Sequence, residues 1–121
     1  MRVIPTSILV VDDEKLIRWS LREHLRHAGY DVVLADSGRE TMKTLDERVA
    51  LVLLDLRLPD VGGLELCDEI LRRRPGCRVI MMTAQWTPEL VREALAHGVS
   101  DVLQKPFDLD EMTRAVATAL A

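Results

Sequence analysis

Five times along this chain a short apolar run is followed by an amphipathic stretch, and that alternation leaves few folds open. The runs are residues 7–11, 31–35, 50–54, 78–82 and 101–104. Ala50-Leu51-Val52-Leu53-Leu54 is the most apolar of them; it ends at Asp55, and Leu56-Arg57-Leu58-Pro59 follows. A continuous apolar run bounded by turn signals reads as a strand buried on both faces, usually in a parallel sheet. The stretches between the runs carry helix signals. Ile17, Leu21, Leu25 and Ala28 recur at helical spacing from about Glu14, and Gly29 supplies a left-handed cap. Ser37 and Glu40 form a capping-box pair that opens a second helix to about Glu47. Pro59, Gly62 and Gly63 make a loop into a third, which runs to about Arg74 and is stopped by Pro75-Gly76. Thr87 caps and Pro88 starts a fourth helix that reaches His97, where Gly98 closes it. Asp108 and Glu111 cap a fifth that runs to the chain end. Strict alternation of this kind predicts an α/β domain with a parallel sheet, helices on both faces and right-handed crossovers.

The 121 residues suffice for one domain with a real core, and no linker or low-complexity tract divides them. Aromatics make up only 3%, so aliphatic residues and Met must fill that core, with Met81 and Met82 as candidates. A net charge of −4 argues against direct nucleic-acid binding by this domain, which needs a basic face. Cys67 and Cys77 have no metal-ligand spacing and read as unpaired buried or half-buried thiols of a reducing compartment. No apolar run reaches the ~18 residues of a membrane span, and the first five residues are too short for a signal peptide. A soluble, cytoplasmic protein is expected.

In an open parallel sheet, ligands bind outside the carboxyl ends of the strands. Here those ends carry Asp12-Asp13, Asp55, Thr83 and Lys105. Singly, each is ordinary loop or cap chemistry; four segments delivering polar groups to one rim is the informative fact. Carboxylates crowded together raise one another's proton affinity unless a positive charge joins them. Mg²⁺ suits such a set, since it takes one or two carboxylates plus waters and phosphate oxygens. Lys105 offers a mobile point charge and Thr83 a hydroxyl donor for phosphoryl oxygens. An Asp carboxylate can act as the nucleophile and become an aspartyl phosphate. The residues therefore suggest a Mg²⁺-assisted phosphoryl acceptor, because such transfer needs mainly positioning and charge neutralisation.

Val10-Val11-Asp12-Asp13-Glu14, Leu53-Leu54-Asp55-Leu56-Arg57-Leu58-Pro59, Met82-Thr83-Ala84 and Lys105-Pro106-Phe107 together resemble the motif set of bacterial response-regulator receiver domains. The resemblance spans nearly the whole chain, residues 1–121 as one receiver domain. It implies a flavodoxin-like (βα)5 fold with sheet order 2-1-3-4-5. It further implies that Asp55 accepts a phosphoryl group from a sensor histidine kinase. Asp12 and Asp13 would hold Mg²⁺, Asp13 more directly, with the backbone carbonyl of Arg57 as a further ligand. Lys105 and Thr83 would bind the phosphoryl oxygens. Output would pass through the fourth helix, fifth strand and fifth helix to an attached output domain or effector protein, with a homodimer through that surface. Ile17-Arg18-Trp19-Ser20-Leu21 is similar to receivers of nitrogen-regulation enhancer-binding activators, which implies transcription control.

One position departs from the pattern. Many receivers carry Tyr or Phe three residues before the lysine, and this chain has Val102. A shift of the fourth helix is the expected substitute for an aromatic switch. Trp19 falls opposite the apolar stripe of its helix and is expected to be partly exposed, either lying along the helix or meeting a partner such as the kinase. His24 is expected to be packed or at an edge, while His27 and His97 sit in last turns where imidazolium suits the dipole. Arg72-Arg73-Arg74 reads as a solvated cap. Trp86 is assigned to packing, with a lid over the site as the other reading. Gln85 and Arg57 are expected to flank the path of attacking water and tune the acyl phosphate's lifetime.

Two other functions compete. A phosphorylation-independent interaction module would not need all of Asp12, Asp13, Asp55, Thr83 and Lys105. A Mg²⁺-dependent phosphohydrolase would place a second Asp two residues past its nucleophile, where Arg57 stands. Neither G-x-G-x-x-G nor a Walker-type loop is present for a nucleotide enzyme. The domain is thus expected to catalyse only its own phosphorylation and dephosphorylation.

Overall fold

The computed structural model describes residues 5–121; residues 1–4, most of the short first segment considered above, lie outside the described residues. Strands β1 (Ser7–Val11), β2 (Asp31–Ala35), β3 (Val49–Asp55), β4 (Arg78–Thr83) and β5 (Asp101–Gln104) alternate with five helices. The helices are α1 (Lys15–His27), α2 (Gly38–Thr44), α3 (Gly63–Arg73), α4 (Pro88–Ala96) and α5 (Leu109–Leu120). All strand pairs are parallel, in the order β2-β1-β3-β4-β5. This is the flavodoxin-like arrangement the alternation and motifs implied.

Pleating sends successive side chains to opposite faces, and both faces are covered. Leu9, Val11, Val52, Leu54, Val79 and Met81 join Leu66, Cys67 and Ile70 of α3 and Ala94 of α4 in one core layer. Ile8, Val10, Leu53, Ile80 and Met82 join Leu21 and Leu25 of α1 and Met112 and Val116 of α5 in the other. The central strands are therefore apolar without alternation, while the edge strands β2 and β5 keep exposed positions. Cys67 and Cys77 are free buried thiols, each pushed up to about 11 chiefly by that burial. Gly29 (φ 97) and Gly98 (φ 99) end α1 and α4 in the left-handed region, as helix-closing glycines do.

Three local expectations change. The second helix stops at Thr44, not Glu47, because Leu45 turns extended and buries against the core. The Asp46 carboxylate then accepts from Arg48 N–H at 2.8 Å, and β3 begins at Val49. The Ser37–Glu40 pair acts in one direction: Ser37 Oγ accepts from Glu40 N–H at 3.1 Å. The arginine run is more than a solvated cap. Arg73 donates to Met42 O at 2.8 Å and Arg74 to Asp46 O, so α3 closes over the end of α2. No described helix is long and apolar enough to cross a membrane.

Candidate functional site

Parallel register brings the strand ends to one rim. Val11 pairs with Leu54, so Asp12 and Asp55 emerge side by side. Asp55 pairs with Met82, which places Thr83 next along β4, and Thr83 pairs with Gln104, which places Lys105 beside it. Backbone bonds continue this lattice past the strands: Lys105 N–H donates to Thr83 O at 2.7 Å and Leu56 N–H to Met82 O at 2.9 Å. The side chains of all five residues singled out in the sequence are thereby brought together. Asp13, Asp55, Thr83 and Lys105 line a cleft of about 230 Å³ together with Arg57 and Gln85, and Asp12 lies buried behind it.

Asp12 is fully buried, Asp55 and Thr83 are buried, and Asp13 is exposed. Oxygen atoms of Asp12, Asp13 and Asp55 lie within 4.8 Å of one another. Lys105 Nζ answers this charge at 2.7 Å from Asp12 Oδ2 and 3.4 Å from Asp55 Oδ2. Burial raises the Asp55 carboxyl above the usual carboxylate range, and the Asp12 charge raises it further against the pull of Lys105. Burial alone would lower Lys105, but the hydrogen bond to Asp12 and the charges of Asp12 and Asp55 hold its pKa above that of an ordinary lysine. Burial, more than mutual repulsion, is thus the larger cause at Asp55.

The donor set fits a hard divalent cation: three carboxylates, two of them buried, open on one side to a cleft with room for water. The Asp12 oxygens are both engaged, Oδ1 by Glu14 N–H at 2.9 Å and Oδ2 by Lys105. Asp13 projects to the open side.

Gln85 N–H donates to Thr83 Oγ1 at 3.0 Å, leaving the hydroxyl hydrogen free for another acceptor. Arg57 donates to Gln85 Oε1, so the two residues expected to flank a water path are joined across the cleft. Trp86 behaves unlike either expectation: it is 40% exposed, outside both core layers, and does not line the cleft. Trp19 is 55% exposed, as its helical phase predicts. His97 pairs with Asp68 of α3 at 2.8 Å and His24 with Asp110 of α5 at 3.3 Å, so both tie helices together. Val102 is buried in the core layer beside α4. Sequence reasoning missed Arg18, which donates to Asp12 O at 2.7 Å and steadies the first acidic loop. Nothing in the local pattern marks it apart from the other helical cations.

The description "Response regulator receiver domain" matches residues 8–117 of the chain. The transcriptional regulatory protein ZraR of Escherichia coli is 40% identical over 116 residues, covering 95% of this chain and 26% of that protein. The DNA-binding transcriptional regulator NtrC of Klebsiella pneumoniae is 38% identical over 113 residues, covering 93% and 24%. Among solved structures, the receiver domain of NtrX from Brucella abortus superimposes with a TM-score of 0.87 at 32% identity, covering 93% of this chain and 97% of that one. The chain spans 31% of the first curated relative's length and 26% of the second's.

Proposed function

The chain belongs to the response regulator receiver domain family, a family of regulatory phosphoacceptor switches, and from that premise we propose that Asp55 is its phosphoacceptor. The observation that carries the proposal is the single rim on which a buried Asp55, Lys105, Thr83 and the acidic pair meet. A histidine kinase partner follows from family membership. In the transfer, an Asp55 oxygen attacks the phosphorus of the kinase's phosphohistidine. The P–O bond forms as the P–N bond breaks, and the imidazole leaves with the electron pair.

Mg²⁺, when bound, would neutralise charge on the phosphoryl oxygens. Asp13, Asp55 and the Arg57 carbonyl would be its protein ligands, with Asp12 acting more through its charge, since both Asp12 oxygens already accept hydrogen bonds. Lys105 would exchange its 3.4 Å contact with Asp55 for a phosphoryl oxygen, and the free Thr83 hydroxyl would donate to another. Burial excludes water from the back of Asp55, and the Arg57–Gln85 clasp narrows its front.

The switch would run through α4. That helix has one buried residue, Ala94, and its carboxyl end is fastened by His97 to Asp68 of α3. A drawn-in Thr83 would therefore tilt its free amino end, in place of a rotating aromatic at Val102. We assign residues 1–121 to one cytoplasmic receiver domain whose α4–β5–α5 surface addresses an output domain or effector, with a second copy as the pairing partner. Transcription control is the output that the likeness to ZraR and NtrC supports.

Intact-mass measurement after incubation with acetyl phosphate and Mg²⁺ tests the central claim. One phosphoryl adduct is expected on the wild type, and none on Asp55→Asn or on metal-free protein. An adduct that persists on Asp55→Asn would place the acceptor elsewhere.

A further inference from the structure

Between Asp55 and α3 the chain forms a closed tab. Its base is fastened where Gly63 N–H donates to Leu56 O at 2.8 Å, with Arg57 and Gly62 bridged antiparallel above it. Its tip, Asp60 and Val61, lies against the start of α2. Asp60 Oδ1 accepts from Gly38 N–H at 2.8 Å, and Oδ2 accepts from Arg39 N–H at 2.9 Å. Ser37 Oγ takes the next donor, Glu40 N–H. The first-turn amides of α2 are thus all answered, two of them by a carboxylate from a different loop. Such amides need partners wherever a helix begins, and the usual source is the residue just before the helix. Gly38 makes the long reach possible, because a Cβ there would stand 2.4 Å from Val61 Cγ1. The same two amides hold the Asp60 carboxyl below the usual carboxylate range, so it meets them as an anion.

Arg57, whose backbone carbonyl completes the cation site under the function proposed above, lies between the fastened base and the clamped tip. We propose that Asp60 is a positioning residue for cation binding: by clamping the tab to α2 it holds the Arg57 carbonyl where Asp13 and Asp55 can share a cation with it. The inference rests on that reading of the site. Hydrogen bonds from amides to an ionised carboxylate are roughly twice as strong as neutral ones, and two of them on one side chain fix direction as well as distance. Residues that orient metal ligands typically change affinity by about 10–100-fold when removed. The Gly63–Leu56 closure survives here, so the lower end of that range applies.

Mg²⁺ titrations read from the amide shifts of Asp13, Asp55 and Arg57 test it, with unfolding curves recorded in parallel. Asp60→Ala is expected to weaken Mg²⁺ binding by about tenfold. Ser37→Ala removes a cap from the same helix without touching the tab; it should lose comparable stability and keep wild-type Mg²⁺ affinity. Asp60→Asn keeps one acceptor but sets an N–H donor against the second amide, and is expected to fall between Asp60→Ala and wild type. Equal affinity in Asp60→Ala and wild type would overturn the positioning role while leaving the cation site intact. Equal weakening by Ser37→Ala would assign the effect to α2 itself, and a loss in Asp60→Ala that disappears at high ionic strength would assign it to charge. A wild type without a saturable Mg²⁺ response would instead remove the cation site on which the inference stands.

Discussion

Replacing Lys105 by Met removes the cation that faces Asp12 and Asp55 and leaves a stem of similar length. The two contacts, 2.7 and 3.4 Å long, join side chains that are 15%, 0% and 10% exposed. At an effective permittivity near 20 each is a gross attraction of about 5–6 kcal/mol. Most of that is offset by the cost of taking the charges out of water, so the net worth of the cluster is far smaller. Deletion of one partner differs from removal of the pair, because it leaves Asp12 buried with no counter-charge, and breaking a fully buried pair this way costs about 3–5 kcal/mol. Water entering from the cleft relieves Asp55 in part, so the loss expected for Lys105→Met is about 3 kcal/mol, the lower end of that range. Urea denaturation of metal-free protein at neutral pH measures it, with an unchanged slope showing that the unfolded state is not the cause. Saturating Mg²⁺ should narrow the gap, since the variant offers the cation an uncontested carboxylate set. The Lys105 pKa is raised in the folded state, so its contribution is complete below the ordinary lysine value of 10.5 and is lost as pH climbs through the raised one. The variant should therefore converge with wild type in alkali. A loss below about 0.5 kcal/mol, the size of an ordinary surface substitution, would refute the reasoning. So would an undiminished loss when Asp12 is already Asn.

Three further outcomes follow from the same geometry. Because the Asp55 carboxyl is raised above its usual 3.8, its ionised form costs stability above that value, and Asp55→Asn should raise the urea midpoint at neutral pH without metal. That advantage should vanish below pH 3.8, where wild-type Asp55 is protonated both folded and unfolded; a midpoint difference independent of pH would contradict it. Gly63→Ala should lose about 1–3 kcal/mol by overpacking, since its Cβ would stand 2.7 Å from Leu56 Cα and 2.8 Å from Leu56 O, neither of which can swing aside. Gly76→Ala, with open space around it, should be silent in the same denaturation experiment. Arg57→Ala and Gln85→Ala should each open the clasp and shorten the acyl phosphate's lifetime severalfold; unchanged dephosphorylation rates in both would end that idea.

The sequence by itself determined the sheet and its reactive rim. Central strands of a doubly covered parallel sheet must be apolar at every position, so the runs at β1, β3 and β4 announce themselves without help from distant residues. Once all strands run the same way, the residue after each run lands on one edge, and Asp12, Asp55, Thr83 and Lys105 could be grouped from their places in the chain alone. The motifs then supplied the strand order, which periodicity does not contain.

What tertiary structure decided are the pairings between residues far apart in sequence. Lys105 lies closer to Asp12 than to Asp55, α2 is cut short by the burial of Leu45, and Arg73 and Arg74 turn inward to the end of α2. His97 finds Asp68, and Asp60 crosses 22 positions to cap a helix that already has its own serine. Apart from Leu45, each is a polar side chain whose partner is set by where two elements happen to meet. Hydrophobic periodicity reports which face of an element is buried. It carries no record of which exposed charge stands opposite, because that depends on the packing of elements the local pattern never mentions.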